Sequence, residues 1–170
     1  MELQQIKEKL LQEEYNFSRE DTYLGKNIIL LGLGGSHAYG TSNENSDVDI
    51  RGIALNPKTD ILLGKDFGEV VNVETDTTIY SVNKMIDLLT KCNPNTIEIL
   101  GLLPEHYLFC TDIGQELLDK RKMFLSKICV HTFGNYANSQ LRRMENKAAR
   151  EAGQKKTRRK YFEKHSECKI

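Results

Sequence analysis

The stretch IILLGLGGSHAYGTSNENSDVDIRGIAL, residues 28–55, sets two strand patterns around a glycine-rich turn and a polar loop. Its first part, IILLGLGG, is short, apolar and ended by glycines, the pattern of a buried strand that breaks into a tight turn. The loop GTSNENS follows. After it DVDIRGIAL alternates, with Val48 and Ile50 facing one way and Asp47, Asp49 and Arg51 the other. The second strand therefore carries a charged face.

Outward from these strands, Leu3, Ile6, Leu10 and Leu11 recur at helical spacing and predict an amphipathic helix packed on the sheet. Beyond Pro57, EVVNVETDTTIYSV reads as a third strand with a bend. On it Val71, Val73, Thr75, Thr77 and Ile79 share one face, and Glu74, Asp76, Thr78 and Tyr80 share the other. Ser81 is placed to cap a helix carrying Met85, Ile86, Leu88 and Leu89, and Asn93 with Pro94 ends it and starts another over NTIEILGLL. From Thr111 the pattern is helical almost to the end. The order of elements predicts an α/β or α+β fold, a small mixed sheet with helices on it, over residues 1–124. Residues 125–170 form a helical, basic C-terminal segment.

Bulk properties narrow the class. With 170 residues and 39% hydrophobic content, the chain has enough apolar material for one compact core. No apolar run approaches the roughly 18 residues of a spanning helix, and the first residues are studded with acids, so a cytoplasmic protein without membrane contact is expected. Cys92, Cys110, Cys129 and Cys168 fall at no metal-finger spacing and read as buried reduced thiols. The net charge of zero hides an asymmetry: residues 141–170 hold 11 Lys and Arg against 4 Asp and Glu, and the rest 13 against 20. A basic arm follows an acidic body.

Chemistry concentrates in residues 34–52. A turn whose glycines let backbone N–H groups approach closely suits phosphate oxygens, and Ser36 adds a hydroxyl donor. Two carboxylates at positions i and i+2 of a strand project to one side, where they suit shared hard cations such as Mg²⁺ or Mn²⁺. The glycine-serine turn and the Asp-x-Asp strand are each weak signals. Together they set triphosphate donors and metal ligands on neighbouring strands, as in-line phosphoryl transfer requires.

These residues, Gly35, Ser36, Asp47 and Asp49, resemble the signature of the DNA polymerase beta-like nucleotidyltransferase superfamily. More narrowly, GSHAYGTSNENSDVDIRGI, DTTIYSVNKMIDLLTKCNPNTIEIL and FLSKICVHTFGNYANSQLRRM resemble three blocks of the predicted nucleotidyltransferase family associated with RNA repair. The resemblance covers about residues 28–147. It implies a catalytic domain over residues 1–124 that moves a nucleoside monophosphate from an NTP, such as ATP, to a hydroxyl acceptor, with RNA among the acceptors, and releases pyrophosphate. It also implies a third carboxylate on a later strand, and Asp76 matches that position. The residues alone leave Glu74 as the alternative, since both lie on one predicted strand face. Asp47, Asp49 and Asp76 are thus the expected catalytic and metal-binding residues, and Gly35, Ser36 and Arg51 the nucleotide-binding ones. Similar proteins continue into a further helical segment, whereas this sequence stops at Ile170, as a truncated chain would.

Other readings stay open at this level. Arg51 either contacts a phosphate or pairs with an acid such as Asp49. His37 either reaches the triphosphate or base or serves packing. NPNTIE reads first as a helix stop and start. The run from Arg142 through Lys155, Lys156, Arg158, Arg159 and Lys160 to Tyr161 and Phe162 suits a nucleic-acid backbone with a stacked base, or else a solvated helix. A nucleotide-binding or RNA-binding module without turnover is the alternative to an enzyme. Oligomeric state is not encoded in any of these patterns.

Overall fold

The computed structural model describes the backbone of residues 3–44 and 46–166 and the side chains of residues 4–44 and 46–153. The chain divides into two compact units, one up to Cys129 and one from Val130 onward. In the first, α1 (Leu3–Lys9) and α2 (Phe17–Glu20) precede β1 (Ile28–Leu33), the one-turn α3 (Gly35–Ala38), β2 (Ile50–Ala54) and α4 (Lys58–Leu62). Then come β3 (Glu69–Asn72), β4 (Thr77–Ser81), α5 (Val82–Thr90), α6 (Pro94–Leu100), β5 (Tyr107–Cys110) and α7 (Asp112–Asp119). The helix α8 (Ile128–Ser166) begins in the first unit and makes up the described part of the second.

The strands form one mixed α+β sheet in the order β3-β4-β2-β1-β5, in which only the β2–β4 pair is parallel. The apolar run of β1 explains its place: it pairs on both sides, and Ile28, Ile29, Leu30 and Leu33 are all buried. On one side Ile53 packs with Met85 and Leu89 of α5, Ile99 and Leu100 of α6 and Leu118 of α7. Each such side chain contributes about 1.5–3 kcal/mol on burial. A separate cluster joins Ile6 of α1 and Tyr15 to Leu33, Val48 and Ile50, which fixes the amphipathic first helix beside the start of β2.

Ser81 caps α5 by accepting from the Lys84 N–H at 3.0 Å, and Asn93 caps α6 by accepting from the Asn95 N–H at 3.0 Å. Four expectations need correction. The second strand begins at Ile50, so Asp47 and Asp49 lie in the loop that leads into it. The third segment is a hairpin, β3 and β4 joined by a turn over residues 73–76, because the Asn72 side chain accepts from the Thr75 N–H and folds the chain back. The edge strand β5 was not expected: it is four residues long, follows Pro104, and owes its conformation to pairing with β1. Finally, Cys110 is exposed at the end of that edge strand, whereas Cys92 is buried and Cys129 half-buried; Cys168 lies outside the described residues. Among the described residues no helix is long and apolar enough to cross a membrane.

Candidate active site

Gly34 donates its N–H to the Asp49 carbonyl at 2.8 Å, which ties the end of β1 to the approach of β2. The chain then turns through Gly35 at φ +53°, a left-handed conformation that side chains oppose. Space forbids a side chain as well: a Cβ on Gly35 would lie 1.9 Å from Asp49 Oδ2. The turn opens α3, whose first N–H groups, by helix geometry, have no partner within the helix. Gly35 is exposed, Ser36 half-buried, and the turn is closed by the Thr41 N–H donating to the Ser36 carbonyl at 2.9 Å.

The parallel register of β2 and β4 builds the other half. Ile50 pairs with Thr77, so the residues just before them, Asp49 and Asp76, come side by side, and the Ile50 N–H donates to the Asp76 carbonyl at 3.1 Å. Asp76 holds φ +42° at the end of the β3–β4 turn. That turn is braced by the buried Thr75 and Thr77 hydroxyls, 2.9 Å apart. Asn72, Thr75 and Thr77 are thus positioning residues that strand-face reasoning overlooked; an Asn three residues before the Thr was the signal for the turn.

The Asp49 and Asp76 carboxyl groups lie close enough for one nitrogen of Arg51 to reach an oxygen of each. Burial pushes the Asp49 carboxyl up, reinforced by the Asp76 carboxylate and more weakly by Asp47, against the pull of Arg51. Asp76 goes the other way: its neighbour Asp49 holds it below the usual range, with help from Arg51. The two carboxyl groups thus shift in opposite directions, as neighbouring acids that share one site do. Arg51 lies across the pair, its Nη2 3.3 Å from Asp49 Oδ1 and 3.1 Å from Asp76 Oδ1, and its Nη1 donates to the Asp76 carbonyl at 2.6 Å.

Asp47 is exposed, and it lines a cleft with Glu74 and Asp76; it reaches Asp49 through charge. The place beside Asp49 falls to Asp76, and Glu74 faces the cleft. Among the described residues no three His, Cys, Asp or Glu side chains stand close enough together to hold a metal ion. The donor chemistry nevertheless fits a hard divalent cation: two carboxylates side by side, one with a raised pKa, are the like-charge crowding that such an ion relieves.

His37 is 7% exposed, and its Nε2 has no hydrogen-bond partner among the described residues. Asn93 and Pro94 start α6. Arg142, Arg143, Lys147 and Arg150 are exposed on α8, while the side chains of Lys155 to Phe162 lie outside the described residues.

The glycine turn and the Asp49–Asp76 pair lie together at one end of the sheet. Residues 2–162 match the RNA repair pathway DNA polymerase beta family. The chain belongs to that family. No curated protein and no solved structure matches it. For a polymerase beta family member, Gly35, Asp49 and Asp76 form the centre of the candidate site, with Asp47 at its rim and Arg51 as the resident counter-charge.

Proposed function

We propose that the chain is a metal-dependent nucleotidyltransferase that moves a nucleoside monophosphate from an NTP to a hydroxyl of an RNA acceptor and releases pyrophosphate. One contact carries the reading: the glycine turn suited to a triphosphate is pressed against Asp49, which stands beside Asp76. Phosphate donors and carboxylates thus share one end of the sheet, as in-line displacement at phosphorus requires. Membership of a polymerase beta family named for RNA repair supports both the chemistry and the acceptor class.

In this reading the N–H groups at Gly35 and Ser36, with the Ser36 hydroxyl, hold the phosphates of the leaving group. Asp49 and Asp76, with Asp47 beside them, hold Mg²⁺ or Mn²⁺, which when bound neutralises charge on the phosphate oxygens. Asp76 is the more exposed of the pair, with 56% of its side chain accessible against 20% for Asp49. It receives the proton of the attacking hydroxyl. The oxygen–phosphorus bond forms as the bond to pyrophosphate breaks, and that electron pair leaves with pyrophosphate. Arg51 compensates the carboxylates until substrate arrives, and then turns to a phosphate oxygen.

A second reading, a nucleotide- or RNA-binding module without turnover, is favoured by the guanidinium that already spans Asp49 and Asp76. Incubation with each labelled NTP, Mg²⁺ or Mn²⁺, and candidate RNA separates the two. An enzyme puts label on RNA and releases an equal amount of pyrophosphate. NTP binding without release points to the module.

A further inference from the structure

We propose that Cys92 and Cys129 are a peroxide-sensitive thiol pair, which a peroxide oxidises to a disulfide that fastens the end of α5 to the first turn of α8. The inference is independent of the nucleotidyltransferase reading. Both residues belong to the first compact unit.

The backbone at Cys92 gives the first observation. Helix α5 ends in a turn where the Cys92 N–H donates to the Leu89 carbonyl at 2.9 Å and the Asn93 N–H donates to the Leu88 carbonyl at 3.0 Å. Cys92 is the left-handed residue of that turn, at φ +50°. Glycine is the usual occupant of this position, because a Cβ is disfavoured there. A residue held in a conformation that opposes its own side chain points to a use for that side chain. The second observation is where the thiol goes. Its Sγ donates to the Phe124 carbonyl at 3.4 Å and lies 3.3 Å from Ser126 Oγ. Ser126 leads into α8: its Oγ accepts from the Ile128 N–H at 3.3 Å, and its carbonyl accepts from the Cys129 N–H at 3.0 Å. Residues three apart in such a turn are neighbours, with Cβ atoms about 5–6 Å apart. The Cys129 side chain therefore stands beside the hydroxyl that Cys92 touches.

The neighbouring Cys129 thiol, and after it Ser126, draws the Cys92 thiol below its usual range, while Cys92 pushes the Cys129 thiol up. Opposed shifts are those of two thiols that share one site. Accessibility sets the order of events. Cys129 is half-buried, so a peroxide meets its sulfur first, whereas Cys92 is fully buried. The Cys129 sulfur gives up its proton and takes one peroxide oxygen as the O–O bond breaks. The product is a sulfenic acid, and the other oxygen leaves as water. The Cys92 thiolate then attacks that sulfur; the S–S bond forms as the S–O bond breaks, and the departing hydroxide takes the Cys92 proton as a second water. Two thiols are oxidised and one peroxide is reduced to water. A thiol reductant reverses the link.

The test treats the full chain with hydrogen peroxide, blocks remaining thiols with N-ethylmaleimide, digests without reductant and reads the peptides by mass spectrometry. The expected product is a pair of peptides joining Cys92 to Cys129, lighter by two hydrogens than the two reduced peptides together and separated by dithiothreitol. Cys129→Ser abolishes it. Cys92→Gly abolishes it too, and keeps the fold because glycine suits the left-handed position; its melting temperature stays close to the parent's. Cys110→Ser, which removes the exposed thiol of β5, leaves the link intact. Oxidation of both thiols to sulfinic or sulfonic acids without linked peptides overturns the proposal. So do links that join Cys92 or Cys129 only to Cys110 or Cys168.

Discussion

The Arg51 guanidinium lies across two carboxylates at once, 3.3 Å from Asp49 Oδ1 and 3.1 Å from Asp76 Oδ1. It holds the negative charge that the parallel register of β2 and β4 gathers. A divalent cation and this guanidinium therefore serve the same carboxylates. In Arg51→Met the pair loses its resident counter-charge, and binding of a cation relieves more repulsion than in the parent. The expected result is a variant that melts earlier than the parent without divalent cation and gains more in Tm when millimolar Mg²⁺ is added. Equal Mg²⁺-induced shifts in the two proteins would show that Arg51 and the cation do not share a site.

Gly35 is fixed by two independent constraints, its φ of +53° and the 1.9 Å that would separate a Cβ from Asp49 Oδ2. Gly35→Ala pays about 1–2 kcal/mol for the left-handed conformation alone, and the clash displaces the Asp49 carboxylate besides. Loss of NTP binding by calorimetry together with a lowered Tm is expected. Ser36→Ala, which removes one hydroxyl donor, weakens NTP binding by about 1 kcal/mol and leaves Tm near the parent. Equal NTP affinity in all three proteins would separate the turn from the nucleotide.

Much of this geometry is legible in the sequence, and the parts that are not have a common cause. The apolar run of β1, the Ser81 cap of α5 and the Asn93-Pro94 start of α6 are local, since each is decided by residues within one or two turns of chain. The pairing of Asp49 with Asp76 is not local: it follows from the register Ile50 to Thr77, across 27 positions of sequence. Alternation over EVVNVETDTTIYSV hides the Asn72–Thr75 turn, because Val73, Thr75 and Thr77 keep the period of a strand while the chain reverses. Both Glu74 and Asp76 line the cleft, and the register sets Asp76 beside Asp49. The sequence leaves Arg51 between phosphate and acid for the same reason, as its partner Asp76 is 25 residues away.

Asp49 also gives a stability prediction with a definite sign. Burial first, and then the neighbouring Asp76, raise its pKa in the fold, so the folded state binds its proton more tightly than the unfolded chain does. Stability therefore falls as pH rises from the ordinary carboxylate range through the raised folded value, and the cost is fully present above that value. Asp49→Asn removes that cost and keeps the size of the side chain. The variant is expected to melt higher than the parent at pH 7 without divalent cation, to lose the advantage at low pH, and to transfer no nucleotide. Thermal melts across pH, paired with pyrophosphate release, check both halves; a lower melting temperature at pH 7 would contradict the repulsion argument.

Asp66 shows the opposite sign in the same fold. Burial acts to raise its pKa, but hydrogen bonds from the Ser81 hydroxyl, the Asn56 amide and the Gly68 N–H, with the charge of Lys84, more than offset this and hold the carboxyl below its usual range. The Asn56 Nδ2 donates to Asp66 Oδ1 at 2.7 Å, and Ser81, which is fully buried, also caps α5. A depressed folded pKa contributes stability above the unfolded carboxylate range, and that contribution is lost as pH falls through the folded value. Asp66→Asn keeps an oxygen for the same donors and loses only the charge. Its melting temperature is therefore expected to lie modestly below the parent's at pH 7, with the two curves converging in strong acid. Ser81→Ala, by contrast, removes both the cap and a donor to Asp66 and costs about 1–2 kcal/mol at neutral pH, with a remainder in acid because the cap does not titrate. Parallel curves for parent and Asp66→Asn at every pH would mean that Asp66 carries no charge-dependent stability.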